Sequence, residues 1–145
     1  MRRMIDQHHV EAQNSGARIV HTCGFDSIPS DLGVFLLQRA MFEKHGVYSP
    51  NVKYRVVKAS GGVSGGTIDS VVNMMEESKS DPSILPLMAD PYALNPLNMP
   101  RGEDKKDKIS VFYDEDFEQW TAPFVMAALN TRVVRRSHSL LGYPW

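Results

Sequence analysis

Short apolar runs separated by polar, glycine-containing turns predict alternating strands and helices along this chain. Ile19 and Val20 are β-branched and lie between two glycines, which favours a strand buried on both faces of a parallel sheet. A helix is predicted from about residue 31 to residue 44, with Ser30 or Asp31 as its N-terminal cap and His45-Gly46 at its end. Its buried side would be formed by Leu32, Val34, Phe35, Leu36 and Leu37.

The same patterns predict further elements. Residues 1–15 are polar with helical periodicity, and Gly16 is placed to end that helix. The alternation over 52–59 predicts a strand with one face in water. The other predicted elements are a helix from Ile68 to about Glu77 with Thr67 as its cap, a strand at 109–113, and a helix from Pro123 to about Ser137 with Thr121 as its cap.

The last of these helices would turn Phe124, Ala127, Ala128 and Val134 inward. Arg132, Arg135 and Arg136 lie near its C-terminal end, where they complement the helix dipole; that structural interpretation takes precedence over anion binding.

The segment 78–108 differs from the rest of the chain in its many prolines and its run of charged residues. Five prolines are expected to break any regular element there, and the charged run 103–108 is interpreted as a solvated face. Long structureless loops are uncommon in compact domains, so its leucines, Met88 and Tyr92 are expected to cover something in a complete protein.

Composition narrows the function classes. The 145 residues are 42% hydrophobic and 23% charged with a net charge of −1, which argues against a general nucleic-acid binder. The single cysteine, Cys23, excludes an internal disulfide and indicates a reducing compartment. No apolar run approaches the roughly 18 residues that a membrane span needs, so a cytoplasmic protein without a transmembrane segment is predicted, with peripheral membrane association left open.

The turn at 23–30 is the first candidate site, because ligands of open α/β sheets bind at the carboxyl ends of strands. It carries Cys23, Asp26, Ser27 and Ser30. A nucleophilic role for Cys23 is disfavoured, since no histidine is tied to it by a motif. Asp26 and Asp31 could act as acid or base, but capping and turn formation explain both. No catalytic residue is identified, and no metal site is predicted, because adjacent histidines at 8 and 9 point apart on a helix.

A second candidate is the glycine-rich loop 60–67 before a predicted helix. Glycines let backbone N–H groups approach an anion at a helix N-terminus. The loop, however, lacks both the Lys-Ser/Thr pair that closes a phosphate loop and the Gly-x-Gly-x-x-Gly motif of dinucleotide-binding turns. A tight turn that packs a helix on a sheet, a loop that binds the polar end of a substrate, and a phosphate-binding hydrolase all remain open.

Three segments together resemble the saccharopine dehydrogenase-like oxidoreductases, including the trans-acting enoyl reductases. The segments are 16–33, which contains Cys-Gly-Phe-Asp-Ser-Ile-Pro-Ser-Asp, then Ser-Gly-Gly-Thr at 64–67, and 120–137. The resemblance implies an α/β fold: the C-terminal part of a Rossmann-type domain at 1–47, followed by part of a second, mixed-sheet α/β domain at 48–145. It also implies a truncated chain, because the Gly-x-Gly-x-x-Gly turn of such proteins lies ahead of everything present here.

The resemblance also implies where ligands bind. The nicotinamide crevice would be lined by Cys23, Gly24, Phe25, Asp26, Ser27, Pro29, Ser30 and Asp31. The substrate would face Ser60, Gly61, Gly62, Ser64, Gly65, Gly66 and Thr67.

The resulting functional hypothesis is a partial NAD(P)-dependent oxidoreductase. The complete protein would use NAD or NADP to reduce a small molecule or an enoyl group on a lipid or polyketide chain. This chain alone is expected to be inactive and to bind neither coenzyme tightly, unless a missing N-terminal Rossmann segment is supplied in trans. The alternative is a non-catalytic interaction module that keeps part of the fold.

Overall fold

The computed structural model describes residues 1–58, 65–102 and 107–145; of Thr67 and Val71 only the backbone is described. These residues combine helices with a small sheet, an α/β arrangement in the broad sense. The two strands are antiparallel, with Phe112 opposite Thr121. In chain order the elements are α1 (Arg2–Ser15), α2 (Ile28–His45), α3 (Gly65–Ser80), α4 (Ile84–Ala89), β1 (Phe112–Asp114), β2 (Gln119–Thr121) and α5 (Ala127–Leu140).

Glycines end the first two helices, as the sequence predicts. Gly16 closes α1 in the left-handed region with φ of 73°, and Gly46 closes α2 with φ of 71°. Only glycine adopts this conformation without a steric penalty from Cβ. α2 begins three residues earlier than predicted, at Ile28, and Ser27 occupies its N-cap position without a side-chain capping hydrogen bond. Capping by Ser30 or Asp31 is therefore wrong, because both lie inside the helix.

Two predicted strands, at Ile19–Val20 and over 52–59, do not form within the described residues. Residues 18–22 form no strand, and the side chains of Ile19 and Val20 are 62% and 74% exposed. Residues 52–58 likewise form no strand, and Ala59 lies outside the described residues. A strand needs a neighbouring backbone to satisfy its N–H and C=O groups, and within the described part of the chain the only ladder joins β1 and β2. The predicted strand at 109–113 is shifted to β1 for the same reason, since Ile109 lies outside the ladder and is 88% exposed.

The proline-rich segment is more regular than predicted. Pro86 lies within the first turn of α4, where a missing N–H breaks no helical hydrogen bond, so the expectation that the prolines exclude regular structure is wrong there. Tyr92, Ala93 and Leu94 are among the most buried apolar residues that the structure describes, whereas Met88 is 42% exposed.

The buried face of α5 is mostly polar. Its buried residues are Asn130, Arg132, Val133 and Ser139, whereas Phe124 and Ala128, predicted to point inward, are exposed. Thr121 belongs to β2 and caps nothing, because α5 begins only at Ala127.

Arginines of α5 hold the segment that follows α4. Arg132 donates to the carbonyl oxygen of Met88 at 2.8 Å, and Arg136 donates to that of Leu94 at 2.6 Å. Arg135 reaches the carbonyl oxygen of Pro91 at 3.2 Å. The arginines are structural, as predicted, but they act by binding these carbonyl groups across 42 to 44 residues of sequence.

The predicted buried side of α2 is largely in contact with water. Leu32, Leu36 and Leu37 are 48%, 58% and 46% exposed, and the most buried side chain of the helix is Gln38. α2 packs against α5, and the contacts that fix the pair are hydrogen bonds from its polar side. The prediction that the leucines are buried is therefore wrong within the described chain.

Candidate functional site

A cleft of about 1100 Å³ lies between α2, α5, the hairpin of β1 and β2, and the extended segment 49–58. Its lining includes apolar side chains, several cationic side chains and a buried polar group on its α-helical side. Among the lining residues are Ser30, Gln38, Lys53, Lys58, Lys108, Asp114, Trp120, Phe124, Asn130, Val134 and Arg135.

Asn130 joins α5 to the start of α2. Its amide nitrogen donates to the carbonyl oxygen of Asp26 at 2.7 Å and to the hydroxyl of Ser30 at 3.2 Å. Its amide oxygen accepts from the hydroxyl of Ser27 at 2.9 Å. Asn130, Ser27 and Ser30 are each less than 10% exposed, so water competes little for these bonds. One asparagine thereby fixes the 26–30 turn against the cleft.

A second hydrogen bond joins the same two helices, between Ser137 of α5 and Asp31 of α2. The hydroxyl of Ser137 donates to a carboxylate oxygen of Asp31 at 2.9 Å. Burial raises the pKa of Asp31 above 3.8, although the hydrogen bond from Ser137 opposes the shift. The Asp31 carboxyl group thus ties the first turn of α2 to α5.

The extended segment 49–58 is held in place at two points. The side chain of Gln38 donates to the carbonyl oxygen of Ser49 and accepts from its N–H, both at 2.8 Å. Further along, Lys53 contacts Asp114 at 3.0 Å, and Arg55 pairs with the same carboxylate. Hydrogen bonds from Lys53 and then Arg55 lower the pKa of Asp114 to about 2, although burial opposes this. The segment forms one wall of the cleft without belonging to a sheet.

The rest of the cleft combines apolar and cationic groups. Trp120 packs edge-on against Tyr113 with ring centroids 5.7 Å apart, and its own side chain is 71% exposed. The ammonium group of Lys108 lies 4.2 Å from the centre of the Phe112 ring. Lys58 forms no ion pair within the described residues and is exposed. Such a surface suits a ligand with an apolar chain and a polar or anionic end.

The predicted nicotinamide-side residues are only partly brought together. Ser30 lines the cleft, Ser27 is buried against Asn130, and Asp31 binds Ser137. The side chain of Phe25 is 89% exposed. The others, Cys23, Gly24, Asp26 and Pro29, lie outside the cleft lining, and their assignment to a coenzyme crevice stays a prediction.

The predicted substrate loop is described only at its end. Ser60, Gly61, Gly62 and Ser64 lie outside the described residues, as does the side chain of Thr67. Gly65 and Gly66 are exposed at the first turn of α3 and do not line the cleft. Their role in substrate binding stays a prediction.

Sequence reasoning missed the residues that shape the cleft. Asn130 lies inside the third resembling segment, 120–137, three residues after Ala127 and four before Val134, which are predicted to point inward; this helical spacing is the signal that could have singled it out. Asp114 directly follows the predicted strand at 109–113, and nothing local connects it with Lys53, 61 residues earlier.

The described residues do not fit a dinucleotide. A pyrophosphate cradle requires a glycine turn between a strand and a helix. No strand precedes α2 or α3 in the described part of the chain, and its left-handed glycines, Gly16, Gly46 and Gly142, all follow helix ends. Over the same residues no group of three His, Cys, Asp or Glu side chains could hold a metal ion. None of the helices described is both long and apolar enough to cross a membrane.

Comparison with known proteins gives one consistent result. The chain is 38% identical, over its whole length, to a protein of Mycobacterium tuberculosis provisionally named a trans-acting enoyl reductase. It is 36% identical to the trans-acting enoyl reductase of Mycobacterium leprae and 35% identical to that of Mycobacterium ulcerans, in each case over 99% of this chain. The chain spans 36% of the length of each of these relatives. No family model and no solved structure matches it significantly.

These relatives support one part of the resemblance. They carry the enoyl reductase name over the full chain, and their greater length agrees with the prediction of a partial chain. The saccharopine dehydrogenase-like assignment, the Rossmann-type domain and the coenzyme stay predictions.

Proposed function

We propose that this chain is the substrate-side part of an NAD(P)-dependent enoyl reductase of the saccharopine dehydrogenase-like type. The proposal rests on contacts between the first and third segments that resemble this family, 16–33 and 120–137. Asn130 and Ser137 of the third segment bind Ser27, Ser30 and Asp31 of the first, beside the cleft. The whole-length similarity to proteins named trans-acting enoyl reductases supports the same conclusion.

The cleft is proposed to receive the acyl part of the substrate. Trp120, Phe124 and Val134 offer apolar surface to a hydrocarbon chain, and burying such a chain contributes about 0.8 kcal/mol for each methylene group. Lys58 and Lys108 lie on the lining, where they would attract an anionic or strongly polar end group.

The coenzyme is proposed to bind to parts of the longer protein outside this chain. Enoyl reduction requires a hydride at one carbon of the double bond and a proton at the other, and a nicotinamide would supply the hydride. The described residues provide no cradle for its pyrophosphate, so their proposed contribution is to bind and orient the acyl substrate.

A chimera tests the proposal. This chain replaces the matching 36% of the M. tuberculosis relative, and NAD(P)H oxidation is measured with a trans-2-enoyl thioester. Under conditions in which the parent is active, the chimera should reduce the substrate in a coenzyme-dependent reaction. Should the parent be active while a chimera with a native-like circular dichroism spectrum is not, the proposal fails.

A matched pair of variants then tests the cleft. Trp120→Ala removes an exposed aromatic side chain from the lining, whereas Val125→Ala alters an exposed apolar residue outside it. Trp120→Ala should raise KM most for long acyl chains, and Val125→Ala should leave KM unchanged. Equal effects of the two variants would place the acyl chain elsewhere.

A non-catalytic interaction module is the second candidate. The observation that favours it is the apolar surface of α2, where Leu32, Leu36 and Phe42 are each about half exposed. Supplying the preceding Rossmann segment of a relative in trans separates the two functions. Recovered reductase activity supports a divided enzyme, and stable association without activity supports the module.

A further inference from the structure

The segment that follows α5 turns back toward the cleft. Gly142 makes the turn, in the left-handed region with φ of 81°. Tyr143 then donates from its backbone N–H to the carbonyl oxygen of His138 and from its hydroxyl to that of Pro100, both at 3.0 Å. These contacts hold the segment beside α5 and bring the side chain of Trp145 into the lining of the cleft.

Three aromatic rings contact the indole of Trp145. The ring of His138 is stacked on it, with centroids 4.7 Å apart and planes 10° from parallel. The rings of Phe35 and Tyr48 are tilted against it, at 6.1 and 6.3 Å. Stacked and tilted pairs at these distances are favourable aromatic arrangements. The indole is therefore fixed by contacts from α5, from α2 and from the residues that follow α2.

Trp145 lies at one end of the cleft. α5 lines the cleft from Ala127 to His138, which spans about 16 Å at the rise of an α-helix. Phe124 lies just before the first of these residues, and Val134 lies one turn before the last. The apolar surface proposed to bind the acyl chain thus runs along α5 toward His138, where the stacked ring of Trp145 is found.

We propose that Trp145 closes this end of the cleft and sets the longest acyl chain that the cleft accepts. The inference rests on the proposed acyl-binding function. A hydrocarbon chain that reaches the indole extends further only by displacing it, and displacement breaks the contacts with three rings. Methylene groups that fit before Trp145 should therefore add to affinity, and those beyond it should add nothing.

A cover for the packing of α2 on α5 is the other role that these contacts allow. The two roles predict different results when the indole is removed. Loss of a cover lowers stability and weakens chains of every length alike. Loss of a barrier leaves short chains unaffected and changes the binding of long ones. The dependence of affinity on chain length therefore separates them.

Fatty-acid binding to the full 145-residue chain tests the proposal without coenzyme or turnover. Octanoate, dodecanoate and hexadecanoate carry the apolar chain and anionic end that the cleft is proposed to receive. Their Kd values are measured by isothermal titration calorimetry below the critical micelle concentrations. In the wild type, affinity should rise about fourfold for each methylene group that becomes buried and should level off before hexadecanoate.

Variants connect this plateau to Trp145. Trp145→Ala should leave octanoate unchanged and should tighten hexadecanoate about tenfold or more, because further methylene groups become buried. Leu141→Ala changes an exposed residue of the same segment outside the cleft lining and should behave as the wild type does. If Trp145→Ala does not fold, Trp145→Leu decides the result, since it keeps an apolar side chain but shortens it.

The outcomes separate this proposal from the acyl-binding cleft itself. A plateau in Trp145→Ala at the same chain length as in the wild type would overturn the proposal. So would equal weakening of all three fatty acids, which would make Trp145 a cover; in both cases the acyl-binding cleft would stand. If no fatty acid binds to the folded wild type, the acyl-binding cleft fails, and the proposal fails with it.

Discussion

Replacement of Asn130 by alanine should destabilise the chain more than any nearby surface change. The side chain makes three hydrogen bonds, at 2.7, 2.9 and 3.2 Å, to Asp26, Ser27 and Ser30. Each contributes about 1 kcal/mol net, and the variant leaves the buried hydroxyl groups of both serines without this partner, so a loss of about 3 kcal/mol is expected. For a chain of 145 residues this corresponds to a decrease in Tm of about 10 °C.

Thermal and urea unfolding, followed by circular dichroism, measure this loss. Thr131→Ala is the matched control, because its hydroxyl donates only within its own helix, to the carbonyl oxygen of Ala128 at 3.2 Å; its effect should stay within about 0.5 kcal/mol. A double-mutant cycle with Ser27→Ala should give a coupling of about 1 kcal/mol. An Asn130→Ala variant as stable as Thr131→Ala, or a coupling near zero, would refute the reasoning.

Three further predictions concern charged side chains. The pKa of Asp114 is lowered to about 2, so its ion pairs stabilise the fold fully above its ordinary pKa of 3.8, and this contribution is lost as the pH falls through about 2. Unfolding measured between pH 4 and pH 2 should show this loss in the wild type and not in Asp114→Asn. The pKa of Asp31 is raised by burial, so its ionisation opposes folding as the pH rises above 3.8. Asp31→Asn keeps an acceptor for Ser137 and should leave the urea midpoint at pH 7 unchanged or higher, and a lower midpoint would contradict this. Arg132→Met removes a buried guanidinium that pairs with Asp107 at 2.8 Å and binds the Met88 carbonyl. The free energy of unfolding in urea should therefore fall by about 3 kcal/mol. A decrease below about 1 kcal/mol would contradict the structural role.

Local conformation was predictable from the sequence, because it depends on single residues. Gly16 and Gly46 end α1 and α2 where expected, since a left-handed residue at a helix end favours glycine whatever the surroundings. The existence of the helices over 1–15 and 31–44 was predictable from periodicity for a similar reason. Their boundaries shifted by only a few residues.

Pairing across long sequence separations was not predictable. The β-branched residues Ile19 and Val20 have the composition of a strand, but a strand forms only where another backbone accepts its hydrogen bonds, and sequence pattern does not say which one. The residues that form the cleft could not be predicted for the same reason. Asn130 and Ser27 are 103 residues apart, and Lys53 and Asp114 are 61 apart, so each pair looks unremarkable until the fold brings it together.

α5 organises the described chain through polar contacts. Asn130 and Ser137 hold α2, and Arg132 and Arg136 hold the backbone after α4. Buried apolar side chains are few by comparison, whereas many large ones on α2 and in 19–20 remain exposed. Hydrogen bonds between desolvated groups depend on direction and distance far more than apolar contact does. The arrangement around the cleft therefore follows mainly from the geometry of α5, which also contributes Arg135 and His138 to the lining.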